Sequence, residues 1–352
     1  MLLNISLKQF RSYDNESFEF GDGVNIIIGP NASGKTSLIE AILLIATNRS
    51  YRLNNLNLIQ HTKSWFKIIA EDDKQLIRSL SYKITNNELE KKYTIEGVSY
   101  NRLPNLKTLP IVLFEPNNLN LFSGGPERRR VFFDELVEIT KPGFNKVLNN
   151  YHRVLIQRNA LIKQKTFPKT NIFPWNLKLT EFANQIVINR TQLINELNQK
   201  INNIYYQITN NKQYDINILY QPTWPINSYG SNFLKHLDKN LGTDIKYGFT
   251  TSGPHREDIT VNFNNKPSGD TASRGEMRTL ILVLKIIEAT YLENTRNLKP
   301  IFLLDDVFSE LDGSRRKYLT EYIKNYQTFI TTTDADVVIK NFTDKANIIP
   351  LK

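Results

Sequence analysis

The stretch Gly29-Pro30-Asn31-Ala32-Ser33-Gly34-Lys35-Thr36 has the residue types and spacing needed to hold a phosphate chain. Glycines at both ends let the backbone curl so that its amides converge on phosphate oxygens, and a helix starting there adds the positive end of its dipole. Lys35 is expected to bridge the β- and γ-phosphates of a nucleotide and Thr36 to ligate Mg²⁺. The phosphate-contacting set is then Gly29, Pro30, Asn31, Ala32, Ser33, Gly34, Lys35, Thr36 and Ser37. Such a loop works only between a buried strand and a helix. The apolar run at 24–28 and the apolar-rich stretch at 36–46 predict both.

A carboxylate on a neighbouring strand has to hold the metal. Ile301-Phe302-Leu303-Leu304-Asp305-Asp306 supplies it at the end of a buried parallel strand. Asp305 is expected to hold Mg²⁺, directly or through water, and Asp306 to face the attacking water as general base or orienting group. The plainer reading is a strand ending in a solvated acidic turn. Ala272-Ser273-Arg274-Gly275-Glu276 opens the helix expected at 274–293 and resembles the signature loop of ABC-type ATPases. In those proteins this loop of one subunit caps the γ-phosphate held by the phosphate loop of the other. Ser273 and the amide of Gly275 would make that contact, although a Ser-x-Gly helix start is also an ordinary cap.

Positioning these residues requires strands at both ends of the chain. The first hundred residues read as short alternating strands, the region 127–209 as long helices, with stretches at 129–138 and 180–208 broken near Phe167-Pro168 and Phe173-Pro174. Strand character returns after Tyr247, as in Ile259-Thr260-Val261-Asn262-Phe263. The expected organisation is a discontinuous α/β head, 1–115 plus 250–352, around a helical arm, 116–249. A chain of 352 residues suits about two domains.

Composition narrows the function further. The net charge of +10 favours polyanionic partners, because Lys and Arg near phosphates gain Coulomb energy and counterion release, although a solvated basic surface reads the same way. The absence of cysteine excludes a disulfide framework, a thiol nucleophile and a cysteine zinc site, and four His argue against a metal cluster. No apolar run long enough to span a membrane and no leader pattern is evident, so a cytoplasmic protein is expected.

Motifs along nearly the whole chain resemble the RecF family. They include Leu7-Lys8-Gln9-Phe10-Arg11-Ser12-Tyr13, the phosphate loop with Leu38-Ile39-Glu40-Ala41-Ile42, and Arg49-Ser50-Tyr51-Arg52. Further on come Leu113-Phe114-Glu115-Pro116, then Gly125-Pro126 with Arg128-Arg129-Arg130 and Asp134. Ser252-Gly253-Pro254-His255-Arg256-Glu257-Asp258 and Leu304-Asp305-Asp306-Val307-Phe308-Ser309-Glu310-Leu311-Asp312 complete the series. The paired Asp305-Asp306 and the Gly253-Pro254-His255-Arg256 box discriminate better than the phosphate loop, which many ATPases share. The resemblance implies a P-loop ABC-type ATPase head with an inserted helical lever arm, slow DNA-stimulated ATP hydrolysis with Mg²⁺, and ATP-dependent homodimers. It also implies binding of single-stranded, duplex and gapped DNA near the nucleoid, loading of recombinase with RecO- and RecR-type proteins, and support of the SOS response.

Two positions depart from the family pattern: Pro116-Asn117-Asn118 replaces Pro-Glu-Asp, and Glu276 replaces a Gln. Asn117 can still bind metal through its amide oxygen, whereas a carboxylate at Glu276 would repel a γ-phosphate unless turned away. Ser309-Glu310-Leu311-Asp312 resembles the loop that crosses the dimer interface, a plain acidic turn being the alternative, and Thr331-Thr332-Thr333-Asp334 occupies the place where transporters carry a switch His, either as a γ-phosphate sensor or as an ordinary strand end. For Arg128-Arg129-Arg130, contact with DNA phosphate and a solvated helix face are equal readings. Other function classes remain. A membrane-transporter ATPase shares the motifs, but far more chain separates Lys35 from Ser273 than a compact transporter head needs. A chromosome-organising ATPase needs sustained heptads, which are lacking. A nucleotide-regulated scaffold without hydrolysis fits the motifs as well.

Overall fold

β3 (Val24–Ile28) is buried along almost its whole length, the pattern of a strand covered on both faces. The computed structural model, which describes residues 1–49, 55–85, 88–101, 103–164, 169–268, 272–308, 311–333, 342 and 346–352, places it inside an all-parallel sheet. The strand order there is β14 (Asn347–Pro350), β3, β13 (Thr328–Thr332), β12 (Ile301–Asp305) and β8 (Ile111–Phe114). Helix α1 (Lys35–Thr47) follows β3 and packs against this sheet on one side and a second sheet on the other. Its residues from Leu38 to Ala46 are accordingly buried all round, which explains why the segment lacks a polar face.

The second sheet is antiparallel. It runs β2 (Tyr13–Glu19), β1 (Leu2–Phe10), β4 (Trp65–Asp72), β5 (Ile77–Thr85), β6 (Glu88–Ile95) and β7 (Val98–Tyr100). β4 alternates strictly between buried and half-buried residues, as a sheet with one core face requires. Phe10, Phe66 and Tyr82 interlock on that inner face, with ring centroids 5.1 and 4.8 Å apart. These two sheets, α1 and helix α8 (Gly313–Ile323) belong to one compact unit, residues Met1–Asn118 with Lys285–Lys352.

The other unit, Leu119–Leu284, is mostly helical. It contains α2 (Pro126–Thr140), α3 (Phe144–Lys163), α4 (Lys169–Thr209), α5 (Tyr229–Lys239) and α6 (Leu241–Tyr247). Helix α4 runs 41 residues, about 60 Å at 1.5 Å per residue. Pro174 lies inside it, so the break expected there is absent; the proline stands early in the helix, where it forfeits a single backbone hydrogen bond. A small sheet, β9 (Ile216–Gln221), β10 (Asp258–Phe263) and β11 (Lys266–Pro267), packs on α4 through β9. β10, expected with the head from its place after residue 250, pairs instead with β9, residue for residue from Asp258 opposite Gln221 to Phe263 opposite Ile216. Helix α7 (Arg274–Arg296) starts in this unit and ends in the first.

Buried ion pairs hold the second unit together. Arg190 of α4 forks onto both carboxylate oxygens of Asp134 at 2.8 Å each, and its third bond goes to the Pro254 carbonyl. Arg158 of α3, fully buried, bonds Asp244, Asn176 and Thr250. Charges so deep are tolerable only when paired and hydrogen-bonded, and truncating one partner typically costs about 3–5 kcal/mol.

Candidate nucleotide site

The phosphate loop leaves the C-terminal end of β3, and the Asp305–Asp306 pair leaves the C-terminal end of β12, with β13 between them. Ligand sites of parallel sheets form at this edge. Gly34 has φ of 100° and opens α1 without any side-chain cap, so the first amides of the helix point out of the loop. A Cβ on Gly34 would stand 2.8 Å from the Ser12 and Tyr13 hydroxyl oxygens, and one on Gly29 only 2.5 Å from Ser33 Oγ. Both positions therefore need glycine for space, and Gly34 needs it for backbone conformation too.

The side chains expected to act are preorganised. Lys35 is 6% exposed, and its ammonium donates to the carbonyls of Gly29 and Pro30 at 2.8 Å each, which aims it along the loop. Thr36 Oγ1 donates to Asp305 Oδ1 at 3.1 Å, bringing together the two hard oxygen donors predicted to share a metal. The Thr331 hydroxyl donates to Asp305 Oδ1 at 2.8 Å and accepts from the Asp306 N–H at 2.9 Å. Asp306 itself adopts a left-handed φ of 52°, an uncommon conformation for a non-glycine residue. Burial, then the adjacent Asp305 charge, raises its carboxyl above the ordinary carboxylate range, while Lys35 opposes them. Ser12, Asn31, Ala32, Gly34, Lys35, Thr36, Ser37 and Asp306 line one cavity of about 220 Å³. A larger cavity of about 510 Å³ adjoins it through Ser12 and Ser37 and is walled by Arg11, Asn57, Gln60, His61 and Lys63 among others.

Three of these positioning residues were not assigned from sequence. Tyr13 donates its hydroxyl to the Gly34 carbonyl at 3.0 Å, and Arg11 pairs with the buried Glu40 of α1 at 2.7 Å. The family-like segment 7–13 thus buttresses the loop. Thr331 links the two aspartates, more than the ordinary strand end that the sequence left open.

Other expected residues lie elsewhere. Asn117 is exposed in the turn after β8 and does not line the cavity. Its neighbour Asn118 spends its side-chain oxygen on the Glu115 N–H at 2.9 Å. Ser273 and Gly275 open α7, in the other unit from Lys35. The Ser273 hydroxyl accepts from the Glu276 N–H at 3.2 Å while the Glu276 carboxylate turns back onto the Ser273 N–H. This reciprocal capping box holds the carboxylate on its own helix start, beside Ser273. Of the three arginines at the start of α2, Arg129 forks onto Asp258 and Arg130 donates to the Glu257 carbonyl, so only Arg128 remains exposed there. Ser50 to Arg52, Ser309, Glu310 and Asp334 lie outside the described residues. No group of three or more His, Asp or Glu able to hold a metal by itself occurs among the described residues, and no helix there is long and apolar enough to cross a membrane.

A glycine loop cradling the start of a helix, faced by an acidic pair on the next strand but one and joined to an inserted helical unit, defines an ABC-type ATPase head with a helical arm. A family model for the RecF/RecN/SMC N-terminal domain matches residues 1–349. The DNA replication and repair protein RecF of Natranaerobius thermophilus is 33% identical over 354 residues, covering 95% of this chain and 92% of its own. That of Streptococcus agalactiae is 35% identical over 342 residues, covering 95% and 91%. A solved structure of the recombination mediator protein RecF with ATP, in the RecFOR pathway, matches with a TM-score of 0.84 at 29% identity over 95% of this chain and 92% of that one. An SMC head bound to the C-terminal winged-helix domain of ScpA, at 14% identity and a TM-score of 0.55, shares the fold. The chain belongs to the RecF family.

Proposed function

We propose that this protein is an ATP-switched DNA-repair and replication factor that binds ATP with Mg²⁺, hydrolyses it slowly, and dimerises on DNA when ATP is bound. One observation carries the nucleotide reading: Gly34, where a Cβ would clash, and Lys35, held by the Gly29 and Pro30 carbonyls, line one cavity with Asp306. Lys35 and the amides of Gly34 to Ser37 hold the β- and γ-phosphates, and the adjoining cavity beyond Ser12 and Ser37 takes the nucleoside. Thr36 and Asp305 suit Mg²⁺, since both offer hard oxygens already 3.1 Å apart; the ion would neutralise phosphate charge when bound. Asp306, oriented through Thr331, takes a proton from the attacking water or aligns it.

Ser273 and the Gly275 amide, at an exposed helix start, reach the γ-phosphate held by a second copy, so that two ATP molecules tie a two-fold dimer together. The first unit then acts as the head and the second as the arm. The RecF-type relatives support the further reading that the dimer engages gapped DNA in the cell interior and helps RecO- and RecR-type proteins load recombinase, feeding the SOS response. ATP turnover measured with and without DNA tests the core of this proposal. Turnover that DNA stimulates and Lys35→Ala abolishes is expected; nucleotide binding with no turnover in either condition would instead favour a scaffold that uses ATP only as a ligand.

A further inference from the structure

The corner where α6 ends is exposed, yet it is anchored by buried polar bonds. Tyr247 and Phe249 are 59% and 38% exposed, their ring centroids are 6.0 Å apart, and the Arg256 guanidinium lies 4.8 Å over the Phe249 ring. Gly248 between them caps α6 with φ of 76°, a conformation that turns both rings outward at little steric cost. The next residue, Thr250, is held from two sides. Asn159 of α3 accepts from its N–H at 2.8 Å and from its hydroxyl at 2.7 Å. Its carbonyl lies 3.2 Å from His255 Nε2, and His255 Nδ1 lies 2.6 Å from the Tyr151 hydroxyl. A carbonyl can only accept, so Nε2 carries the proton and the Tyr151 hydroxyl donates to Nδ1. The ring stays neutral down to about pH 4 because it is buried and because Arg256, Arg130 and His152 add positive charge around it.

The frame, which also joins the Arg158 network through Thr250, holds two aromatic faces and a cation in fixed positions. The surroundings are basic. Every charged residue of α3 is positive, and the Lys163 stem runs 4.0 Å from where a Gly248 Cβ would stand. The nearby carboxylates are already committed: Asp244 to Arg158, Asp258 to Arg129, and Glu257 to the hydroxyls of Tyr220 and Tyr229. Exposed rings flanked by uncompensated cations match unstacked bases on a phosphate backbone, whereas a duplex keeps its base faces hidden in its own stack.

We propose that this face of the second unit binds single-stranded DNA, with Tyr247 and Phe249 stacking on bases and Arg256 and Lys163 meeting phosphates. This rests on the DNA-binding reading above and adds where, and in which form, the strand is held. The test is fluorescence anisotropy of the full-length protein with a labelled oligothymidine and with a duplex of the same length, over a range of salt. Tyr247→Ala with Phe249→Ala is expected to weaken single-strand binding about tenfold or more and to leave duplex binding and nucleotide binding unchanged. Arg256→Ala is expected to weaken it too, with a salt slope shallower by about one. If wild type binds and the double variant binds single strands equally well, or loses duplex binding by the same factor, the stacking face is wrong and general DNA binding stands. Wild type that binds neither form overturns both readings.

Discussion

Lys35 is buried, its ammonium aligned by two loop carbonyls, and the proposed site would set its single positive charge against two phosphates. Lys35→Ala is expected to lower ATP affinity by about 100-fold, since charge-assisted bonds contribute about 1.5–3 kcal/mol each. Titration calorimetry checks this, and unchanged affinity would refute the phosphate-loop assignment. Asp306→Asn keeps the shape of the site but removes the proton acceptor. ATP should bind as before while turnover drops by about 10²-fold or more; wild-type turnover would move the base to Asp305 or to a partner chain. Lys35, Thr36 and Asp306 were legible in the sequence because each is fixed by its immediate neighbours, a glycine loop in one case and the end of an apolar run in the other. Thr331 and Tyr13 were not assigned, because their roles depend on strands that meet the site only after folding, as the 2.8 Å bond from Thr331 to Asp305 shows.

At the scale of elements, α7 begins with a reciprocal cap between Ser273 and Glu276. Glu276→Ala is expected to cost about 0.5–1 kcal/mol of stability, whereas Glu276→Gln, which can make the same backward bond, should stay within about 0.5 kcal/mol of wild type. Chemical denaturation checks both, and an equal loss in the two variants would show that the charge rather than the cap matters. Apolar patterning revealed stretches of α1, α2, α4 and α7 and the buried strands β3 and β12, since these are covered on both faces or one broad face. β9 was hidden within the span assigned to the helical arm, beyond the stretch read as long helices: six residues whose alternation is too short to stand out. β10 was visible as a strand, but period two does not say which strand it joins, and it joined β9. The polar frame around His255 left no sequence trace beyond the Gly253-Pro254-His255-Arg256 box itself, because its partners Tyr151, Asn159 and Thr250 come from separate elements.

For the whole molecule, ATP is expected to join two copies. Ser273 is exposed at the start of α7, and the role proposed for it requires a phosphate held by another chain. A long cation at this position would block the close approach of two copies while leaving Lys35 and Thr36 in their own chain untouched. Because the dimer would close a basic surface on DNA, wild-type affinity for DNA should rise with ATP by linkage and fall steeply with salt. Light scattering of wild type and Ser273→Arg, each with and without ATP, tests this most directly. Wild type should change from monomer to dimer on adding ATP, and Ser273→Arg should bind ATP and remain a monomer. A Ser273→Arg protein that dimerises with ATP as fully as wild type would contradict the shared ATP site and the clamp built on it.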